Sequence, residues 1–298
     1  MELPVVPTSA FKELEFTTIA PGERATVFCS SGTTEQRPSR HFHHAQSLAI
    51  YKASLLTWAS ANLPLSDATL IFLTPDTKHA PHSSLVHMFD AISQSKGVRR
   101  ATFVGMPDPD GNWQIDSDRT TALLKACEST NEPVGILGTA FNFVHLIDAL
   151  EAEGLRLSLP LRSWALETGG YKGRSRTMPK SELHALISGF LGLSSDRVVT
   201  EYGMCELSSQ AYDTSLLRHS SDRIFRFPPW ARTAVVSPET GREVQDGEIG
   251  LLRVYDLANV YSVMAVETQD LARRRGSDFD LIGRTEQAEP RGCSLMTP

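Results

Sequence analysis

Three polar runs of the sequence contain residue types that bind phosphates, metal ions and ribose. The first, Cys29-Ser-Ser-Gly-Thr-Thr-Glu-Gln-Arg-Pro38, follows the apolar pair Val27–Phe28. Backbone N–H groups, hydroxyls and an arginine at the end of a strand can all be directed at phosphate oxygens. The residues that we expect to hold the phosphates of ATP are Ser30, Ser31, Gly32, Thr33 and Thr34. An ordinary surface turn is the alternative, because the same residue types build such turns and the Gly-Lys-Ser/Thr of a Walker A loop is absent.

The second and third runs lie far downstream, at Glu201-Tyr-Gly-Met-Cys-Glu206 and at Glu267-Thr-Gln-Asp270 with the later Gly283-Arg284. Tyr202 can stack on a base, and Glu206 offers the oxygen ligand that a hard cation such as Mg²⁺ requires. Asp270 can accept hydrogen bonds from ribose hydroxyls. The alternative for Glu201–Glu206 is a strand end with an exposed acid. The alternative for Asp270 is a solvated loop carboxylate. The order of the three runs predicts one nucleotide site assembled from distant parts of the chain.

Two further segments can contribute to this chemistry. Gly169 and Gly170 end a predicted strand, where paired glycines permit the close approach of a flat ligand; a tight turn is equally compatible. Cys293 follows Arg291-Gly292 near the end of the sequence. Since a nearby cation lowers the pKa of a thiol, and an exposed position admits a substrate, Cys293 is a candidate nucleophile. An incidental free cysteine is the alternative.

Two further groups of charged or metal-binding residues are best interpreted as solvent-exposed. His41, His43 and His44 lie at a presumed helix start without a converging Cys or Asp, so we expect a solvated face rather than a metal site. Arg273–Arg275 is too short for a nucleic-acid patch, and we expect a solvated loop tip.

Composition excludes several classes of protein. The 298 residues are 41% hydrophobic and 21% charged, as is usual for a globular protein. The formal net charge of -6 argues against nucleic acid as the main partner. No run of about 18 apolar residues predicts a membrane span, and the N-terminus lacks a signal-peptide pattern. The four scattered cysteines favour free thiols and a cytoplasmic location.

Helical and strand-like segments alternate up to about residue 200, which is typical of an α/β sheet with crossover helices. The predicted helices span 44–61, 83–95, 120–129, 141–153 and 180–191, and the predicted strands 68–73, 100–104, 134–137, 161–166 and 198–200. After about residue 220, short apolar stretches separated by turns (234–236, 250–255, 260–266) predict a small β subdomain. We therefore expect an α/β core over residues 1–220 and a β-rich subdomain with a reactive-cysteine tail over residues 221–298.

Taken together, the motifs resemble the adenylate-forming superfamily of acyl-CoA synthetases and luciferases, and most closely its acyl-protein synthetase (LuxE-type) family. Ser30–Pro38 is similar to the superfamily's phosphate loop, Tyr202–Glu206 to its Tyr-Gly-x-Thr-Glu motif, and Gly283-Arg284 to its Gly-Arg. The runs Gly-Gly-Tyr-Lys-Gly, Glu-Leu-Ser-Ser and Arg-Gly-Cys-Ser-Leu resemble the acyl-protein synthetases more specifically. The chain departs from the superfamily pattern at Glu35, which replaces a glycine, and at Cys205, which replaces a threonine.

The resemblance implies a large adenylate-forming domain without the superfamily's mobile C-terminal domain. It implies that a fatty or aryl acid is activated as acyl-adenylate with ATP and Mg²⁺, then transferred to Cys293 as a thioester and on to an acyl reductase or carrier protein. Gly203, Met204 and Cys205 would join the nucleotide site with Asp270 and Arg284 at the ribose, and Glu206 would hold the metal ion. Lys172 would supply the cation otherwise provided by the missing domain.

Two alternatives stay open at this point. The first is an acyl- or aryl-CoA ligase, or an enzyme that releases free adenylate. The second is a degenerate, non-catalytic nucleotide-binding protein, suggested by Glu35, the short N-terminal part and the missing domain. A redox enzyme has little support because the sequence lacks a GxGxxG dinucleotide loop.

Overall fold

In the part of the chain that the structure describes, one large mixed sheet of twelve strands is accompanied by two small two-stranded sheets. The computed structural model describes residues 4–30, 37–108, 113–169, 178–220 and 222–284. Helices cover both faces of part of the large sheet, which confirms the predicted α/β class. Within these ranges, no helix is both long and apolar enough to cross a membrane.

The elements have the following bounds in chain order. The strands are β1 (Val6–Pro7), β2 (Thr26–Cys29), β3 (Arg40–His43), β4 (Ala68–Phe72), β5 (Val98–Phe103), β6 (Gly105–Pro107), β7 (Trp113–Ile115), β8 (Val134–Thr139), β9 (Trp164–Thr168), β10 (Val198–Tyr202), β11 (Ala211–Asp213), β12 (Ile224–Arg226), β13 (Ala231–Val236), β14 (Ile249–Asp256), β15 (Ala265–Arg275) and β16 (Asp278–Arg284). The α-helices are α1 (Ala10–Glu13), α2 (Ala45–Asn62), α3 (Ser84–Ser93), α4 (Ser117–Ser129), α5 (Ala140–Ala152), α6 (Lys180–Leu191) and α7 (Ser215–Arg218). Short 3₁₀ turns occupy Pro21–Glu23, Ser195–Arg197 and Leu257–Asn259.

Parallel strands form one half of the large sheet, in the order β5-β4-β8-β9-β10. All five residues of β4 are buried, as expected for a strand covered on both faces. Leu70 and Phe72 belong to the core cluster that includes residues of α2 and α3. Ile71 belongs to the cluster formed with α4, α5 and α6. The period of two along the strand therefore distributes its side chains between two helical layers.

Antiparallel strands continue the same sheet from β10 in the order β11-β12-β16-β15-β14-β13, and β1 pairs with β15. A third apolar cluster, which includes Phe225, Val254 and Phe279, packs on this half. Strands on both sides of residue 220 belong to one sheet. The domain division at this residue stays a prediction.

Most predicted elements of the first half agree with the observed ones to within a few residues, and α6 has the predicted bounds. The expected strand 161–166 begins only at Trp164, and Leu161 is exposed. The expected strand 260–266 is wrong over most of its length, since β15 begins at Ala265. The 3₁₀ turn Leu257–Asn259 follows the end of β14 directly, and β15 begins only six residues after this turn.

One expectation of solvent exposure and one of loop structure are also wrong. His41 and His43 lie on β3 rather than at a helix start, and they are only 2% and 1% exposed. Pairing with β2 places them against the apolar residues of that strand, and only His44 caps a helix, α2. Arg273–Arg275 ends β15 instead of forming a loop tip, because its backbone pairs with β16. Alternation in an antiparallel ribbon leaves charged side chains at the surface without interrupting the strand.

Candidate active site

Gly169 and the residues of the second polar run lie where β9 and β10 end. The two strands run parallel with Thr168 opposite Glu201. Gly169, which follows β9, therefore lies beside Tyr202, the last residue of β10. Gly169 has φ +71°, a left-handed conformation that favours glycine, and the space beside its Cα is open. Gly170 and Lys172 lie outside the described residues. The carboxyl ends of neighbouring parallel strands are the usual place for a ligand in such sheets.

Glu201, the residue before Tyr202, is buried at this end of the sheet. Its side chain is 5% exposed and accepts a hydrogen bond from the Thr168 hydroxyl. Burial raises the pKa of Glu201 to about 7, despite the opposing effect of that hydrogen bond. A Cβ at position 203 would press on the Glu201 carboxylate, so a residue other than Gly203 would require that side chain to shift. The glycine of the motif thus has a packing reason.

Tyr202 connects the second polar run to the third. Its hydroxyl donates a 2.7 Å hydrogen bond to Oδ2 of Asp270, and Arg284 Nε donates to Oδ1 at 3.1 Å. Asp270 and Arg284 are register partners on β15 and β16. Burial and the charge of Asp270 raise the pKa of Tyr202 well above its usual range, which keeps the phenol protonated as a donor. Asp270 is 6% exposed within a strand, so the alternative of a solvated loop carboxylate is wrong.

The ring of Tyr202 packs in the core of the antiparallel half. It makes edge contacts with Phe225, Phe227 and Phe279 at centroid distances of 5.6 to 6.3 Å. With the residue 7% exposed, little of the ring surface faces solvent. Stacking of a base on Tyr202 stays a prediction, and the observed role of its hydroxyl is to orient Asp270.

Cys205 connects the second run to β3, the strand that follows the first run. Its carbonyl oxygen accepts a 2.8 Å hydrogen bond from Nδ1 of His41, which lies on β3. Burial lowers the pKa of His41 to about 4, so the ring is neutral and Nδ1 carries the donated proton. Burial, with the nearby Glu206 charge, raises the pKa of the Cys205 thiol well above its usual range. Cys205 is therefore a packed thiol, with Sγ 3.2 Å from Oε2 of Glu206, and not a nucleophile.

The β2–β3 hairpin places the start of the first run beside this loop. Ser30 N donates to Ser39 O at 3.1 Å, and Ser39 N donates to the Ser30 hydroxyl at 2.9 Å. The Ser30 hydroxyl thereby closes the hairpin neck. The remaining phosphate-binding candidates lie outside the described residues: Ser31, Gly32, Thr33 and Thr34. Cys293 also lies outside them.

The donor set of the described residues fits ATP with a metal ion. Glu206, 6% exposed, is the one predicted metal ligand, and Mg²⁺ usually binds through one or two carboxylates together with substrate phosphates. Among the described residues, no group of three or more His, Cys, Asp or Glu is arranged to hold a metal by itself. Met204 packs partly buried against the apolar cluster of the antiparallel half.

Two polar groups near the site were not predicted. Asp256 and Asn259 hydrogen-bond the loop that contains Glu206. Glu167 of β9 pairs with Lys180 and His184 of α6. A signal for the first group exists in the sequence, because an Asp and an Asn three residues apart after an apolar run are typical of a turn held by side chains.

A cavity of about 160 Å³ lies elsewhere, between β4, β5 and α4. Thr69, Arg100, Cys127 and Glu132 are among its lining residues, and none of the motif residues reaches it. The hydrogen bonds at Cys205 and at Asp270 identify the site better than this cavity does.

Comparisons with known proteins match most of the chain. The family model described as "Acyl-protein synthetase, LuxE" matches residues 86–297. The long-chain-fatty-acid–luciferin-component ligase of Aliivibrio fischeri is 20% identical over 313 residues, covering 99% of this chain and 77% of that protein.

Solved structures share the fold. ATP-bound MatB from Rhodopseudomonas palustris has a TM-score of 0.57 and 17% identity, over 89% of this chain and 49% of that one. An open conformation of 2-hydroxyisobutyryl-CoA ligase has a TM-score of 0.59 and 15% identity, over 94% and 64%. The chain thus spans about half the length of MatB and somewhat under two thirds of the second enzyme. Since the family model covers most of the sequence, the chain belongs to the LuxE family of acyl-protein synthetases.

Proposed function

We propose that this chain activates a carboxylic acid with ATP as an acyl-adenylate and then accepts the acyl group on Cys293 as a thioester. The observation that carries the proposal is that hydrogen bonds join the second polar run to the third, and to the strand β3 that follows the first run. His41 bonds Cys205, and Tyr202 bonds the Asp270–Arg284 pair. Family membership and the luciferin-component ligase relative support acid activation as the chemistry.

In the first step, an oxygen of the substrate carboxylate forms a bond to the α-phosphorus of ATP. The bond from that phosphorus to the oxygen bridging to the β-phosphorus breaks, and pyrophosphate leaves. Such a step depends mainly on positioning and on neutralising phosphate charge. Asp270 would accept the ribose hydroxyls, with its carboxylate oriented by Tyr202 and Arg284. Glu206 would hold Mg²⁺, which supplies positive charge to the phosphates, and Lys172 would provide a further cation.

In the second step, the thiolate of Cys293 attacks the acyl carbon, the bond to the adenylate oxygen breaks, and AMP leaves. The thiol proton passes to solvent. Burial raises the pKa of Cys29, Cys127 and Cys205, so the three free cysteines that the structure describes are poor nucleophiles. This supports Cys293 as the acceptor.

The relative supports an inference about the substrate and the final acceptor. Its name specifies a long-chain fatty acid and a luciferin component. We infer a fatty or aryl acid as substrate and an acyl reductase or carrier protein as the recipient of the thioester. We further infer a cytoplasmic location, since the described cysteines are free thiols.

The test is incubation with ATP, Mg²⁺ and a panel of fatty and aryl acids, reading pyrophosphate and the intact protein mass. We expect acid-dependent pyrophosphate release and an acyl adduct that hydroxylamine removes. Cys293→Ser should keep pyrophosphate release and lose the adduct, whereas Cys127→Ser should keep both.

Other outcomes would contradict the proposal. A hydroxylamine-labile adduct on Cys293→Ser would exclude this acceptor. Acyl-CoA formation without a protein adduct would indicate a CoA ligase. Nucleotide binding without pyrophosphate release for any acid would indicate a non-catalytic protein.

A further inference from the structure

A short turn between β14 and β15 holds the loop that contains Glu206. The turn consists of Asp256 and the 3₁₀ segment Leu257–Asn259. It lies about 50 residues downstream of the loop in sequence, yet its two polar side chains hydrogen-bond three polar residues of the loop. These residues are Glu206, Ser208 and Ser209.

Asn259 bonds the backbone of the predicted metal ligand directly. Its amide nitrogen donates to the carbonyl oxygens of Glu206 and Val263, both at 2.8 Å. Its amide oxygen accepts from the Ser208 hydroxyl at 2.7 Å. The residue is 2% exposed, so these bonds form away from solvent. Asn259 therefore fixes the Glu206 carbonyl through a buried hydrogen bond.

Asp256 holds the next residues of the loop. Its Oδ2 accepts the N–H groups of Ser208 and Ser209 at 2.9 and 2.8 Å, and its Oδ1 accepts the Ser209 hydroxyl at 2.7 Å. The Ala258 N–H also donates to Oδ1. The side chain is fully buried, and within the described ranges no Lys, Arg or His forms an ion pair with it. A buried carboxylate without a cation is costly unless such hydrogen bonds are kept, so the loop has one favoured conformation.

We propose that Asp256 and Asn259 are positioning residues that set the orientation of Glu206 as the metal ligand. The inference rests on the proposed function for the assignment of the metal ion to Glu206. The direction of a side chain follows from its backbone, and here the turn fixes the backbone of residues 206, 208 and 209. Partners that orient a metal ligand in this way typically contribute about 10- to 100-fold to metal affinity.

The experiment is a titration of the full chain with Mn²⁺ in the presence of α,β-methylene-ATP, followed by electron paramagnetic resonance. We expect Asn259→Ala and Asp256→Asn to weaken Mn²⁺ binding by about tenfold. The Mg²⁺ concentration needed for half-maximal pyrophosphate release should rise in parallel. Ser208→Ala, which removes one hydroxyl bond to Asn259, is a milder variant in case Asp256→Asn does not fold.

Asp213→Asn is the matched control. Asp213 is also buried and accepts backbone N–H bonds, but from Thr200 and Ser215, which do not belong to the loop. Its substitution should lower the thermal stability and leave Mn²⁺ affinity unchanged. A comparable loss of Mn²⁺ affinity in Asp213→Asn would show a general folding effect and overturn the inference.

A double substitution tests whether the effect passes through Glu206. In a Glu206→Gln background, Asn259→Ala should cause no further loss of Mn²⁺ affinity. An undiminished loss in that background, or unchanged Mn²⁺ binding in both single variants, would overturn the inference. Wild-type protein that binds Mn²⁺ with nucleotide but releases no pyrophosphate would contradict the proposed function alone, since the Mn²⁺ titration does not depend on turnover.

Discussion

Glu167 and Glu201 are two buried carboxylates near the carboxyl ends of neighbouring strands, and they lie on opposite faces of the sheet. Glu167 of β9 is the register partner of Thr200, and Glu201 of β10 is the partner of Thr168. Successive side chains of a strand point to opposite faces, so the two carboxylates have different neighbours. They are 0% and 5% exposed. Burial alone therefore does not distinguish them.

The face of Glu167 is covered by α6, whose first two turns supply the partners of this carboxylate. Lys180 Nζ and His184 Nε2 each lie 3.3 Å from Oε2 of Glu167. Burial raises the pKa of Glu167, but the hydrogen bonds and charges of His184 and Lys180 outweigh it, and the net shift is downward. Glu167 is therefore ionised at neutral pH.

The face of Glu201 is aromatic. Tyr51 and Tyr212 lie in its apolar cluster, and the charge of Glu201 adds to burial in raising the pKa of both. Its hydrogen bond comes from the neutral Thr168 hydroxyl. The pKa of Glu201 is accordingly raised to about 7. The comparison teaches that the layer covering a strand end, and not the depth of burial, decides whether a carboxylate there carries charge.

Glu201→Gln should give the largest effect, on the pH dependence of folding. The folded-state pKa is raised from 4.5 to about 7, so the native state binds the extra proton between these values. The stabilising contribution is present below about pH 4.5 and is lost as the pH rises through about 7, with a total of about 3 kcal/mol. The variant cannot titrate there. Its stability relative to wild type should rise by that amount from about pH 4.5 to about pH 8 in denaturant unfolding.

Glu167→Gln is the control for this prediction and should behave oppositely. Because the folded-state pKa of Glu167 is lowered, its contribution is present above its unfolded pKa and is lost as the pH falls through the folded value. The variant should therefore be less stable than wild type at neutral pH. Unfolding curves that stay parallel for wild type and Glu201→Gln at all pH values would show that the two carboxylates do not differ.

His184→Leu should give the next largest effect, by removing a partner from Glu167. His184 is 7% exposed, and the change leaves the buried carboxylate with Lys180, whose side chain is 42% exposed. We expect a loss of about 2 kcal/mol in the free energy of unfolding at neutral pH. Lys180→Met is the matched variant and should cost less, because an exposed cation is screened by solvent. A larger loss of stability for Lys180→Met than for His184→Leu would show that Lys180, and not His184, is the main partner of Glu167.

How much of this arrangement is predictable from sequence differs between the halves of the sheet. The strand and helix alternation before residue 200 follows from local periodicity, and the observed bounds of α6 match the prediction. The long ribbon of β15 and β16 was missed. Its charged stretch Arg273–Arg275 has no apolar alternation to mark a strand, and its pairing with β16 is a tertiary property.

The site shows the same division. Residue types indicated Asp270 and Glu206 as candidates, since carboxylates serve ribose and metal ions in any fold. The bonds that orient them, from Tyr202 and from Asn259, join residues more than 50 positions apart. The histidines at 41 and 43 gave no sign of burial, because their environment is created by the hairpin and by the loop at Cys205.

Tyr202→Phe should give the smallest of these effects and extends the comparison to a third carboxylate. Asp270 has a cation, Arg284, but that side chain is 78% exposed, whereas the Tyr202 hydroxyl is a buried donor. We expect Tyr202→Phe to cost about 1 kcal/mol in the free energy of unfolding, the usual net value of one hydrogen bond. Arg284→Met should cost less, since an exposed ion pair contributes little. If Arg284→Met is the more damaging change in denaturant unfolding, then the cation and not the buried donor holds Asp270, and this carboxylate resembles Glu167 instead of lying between the two cases.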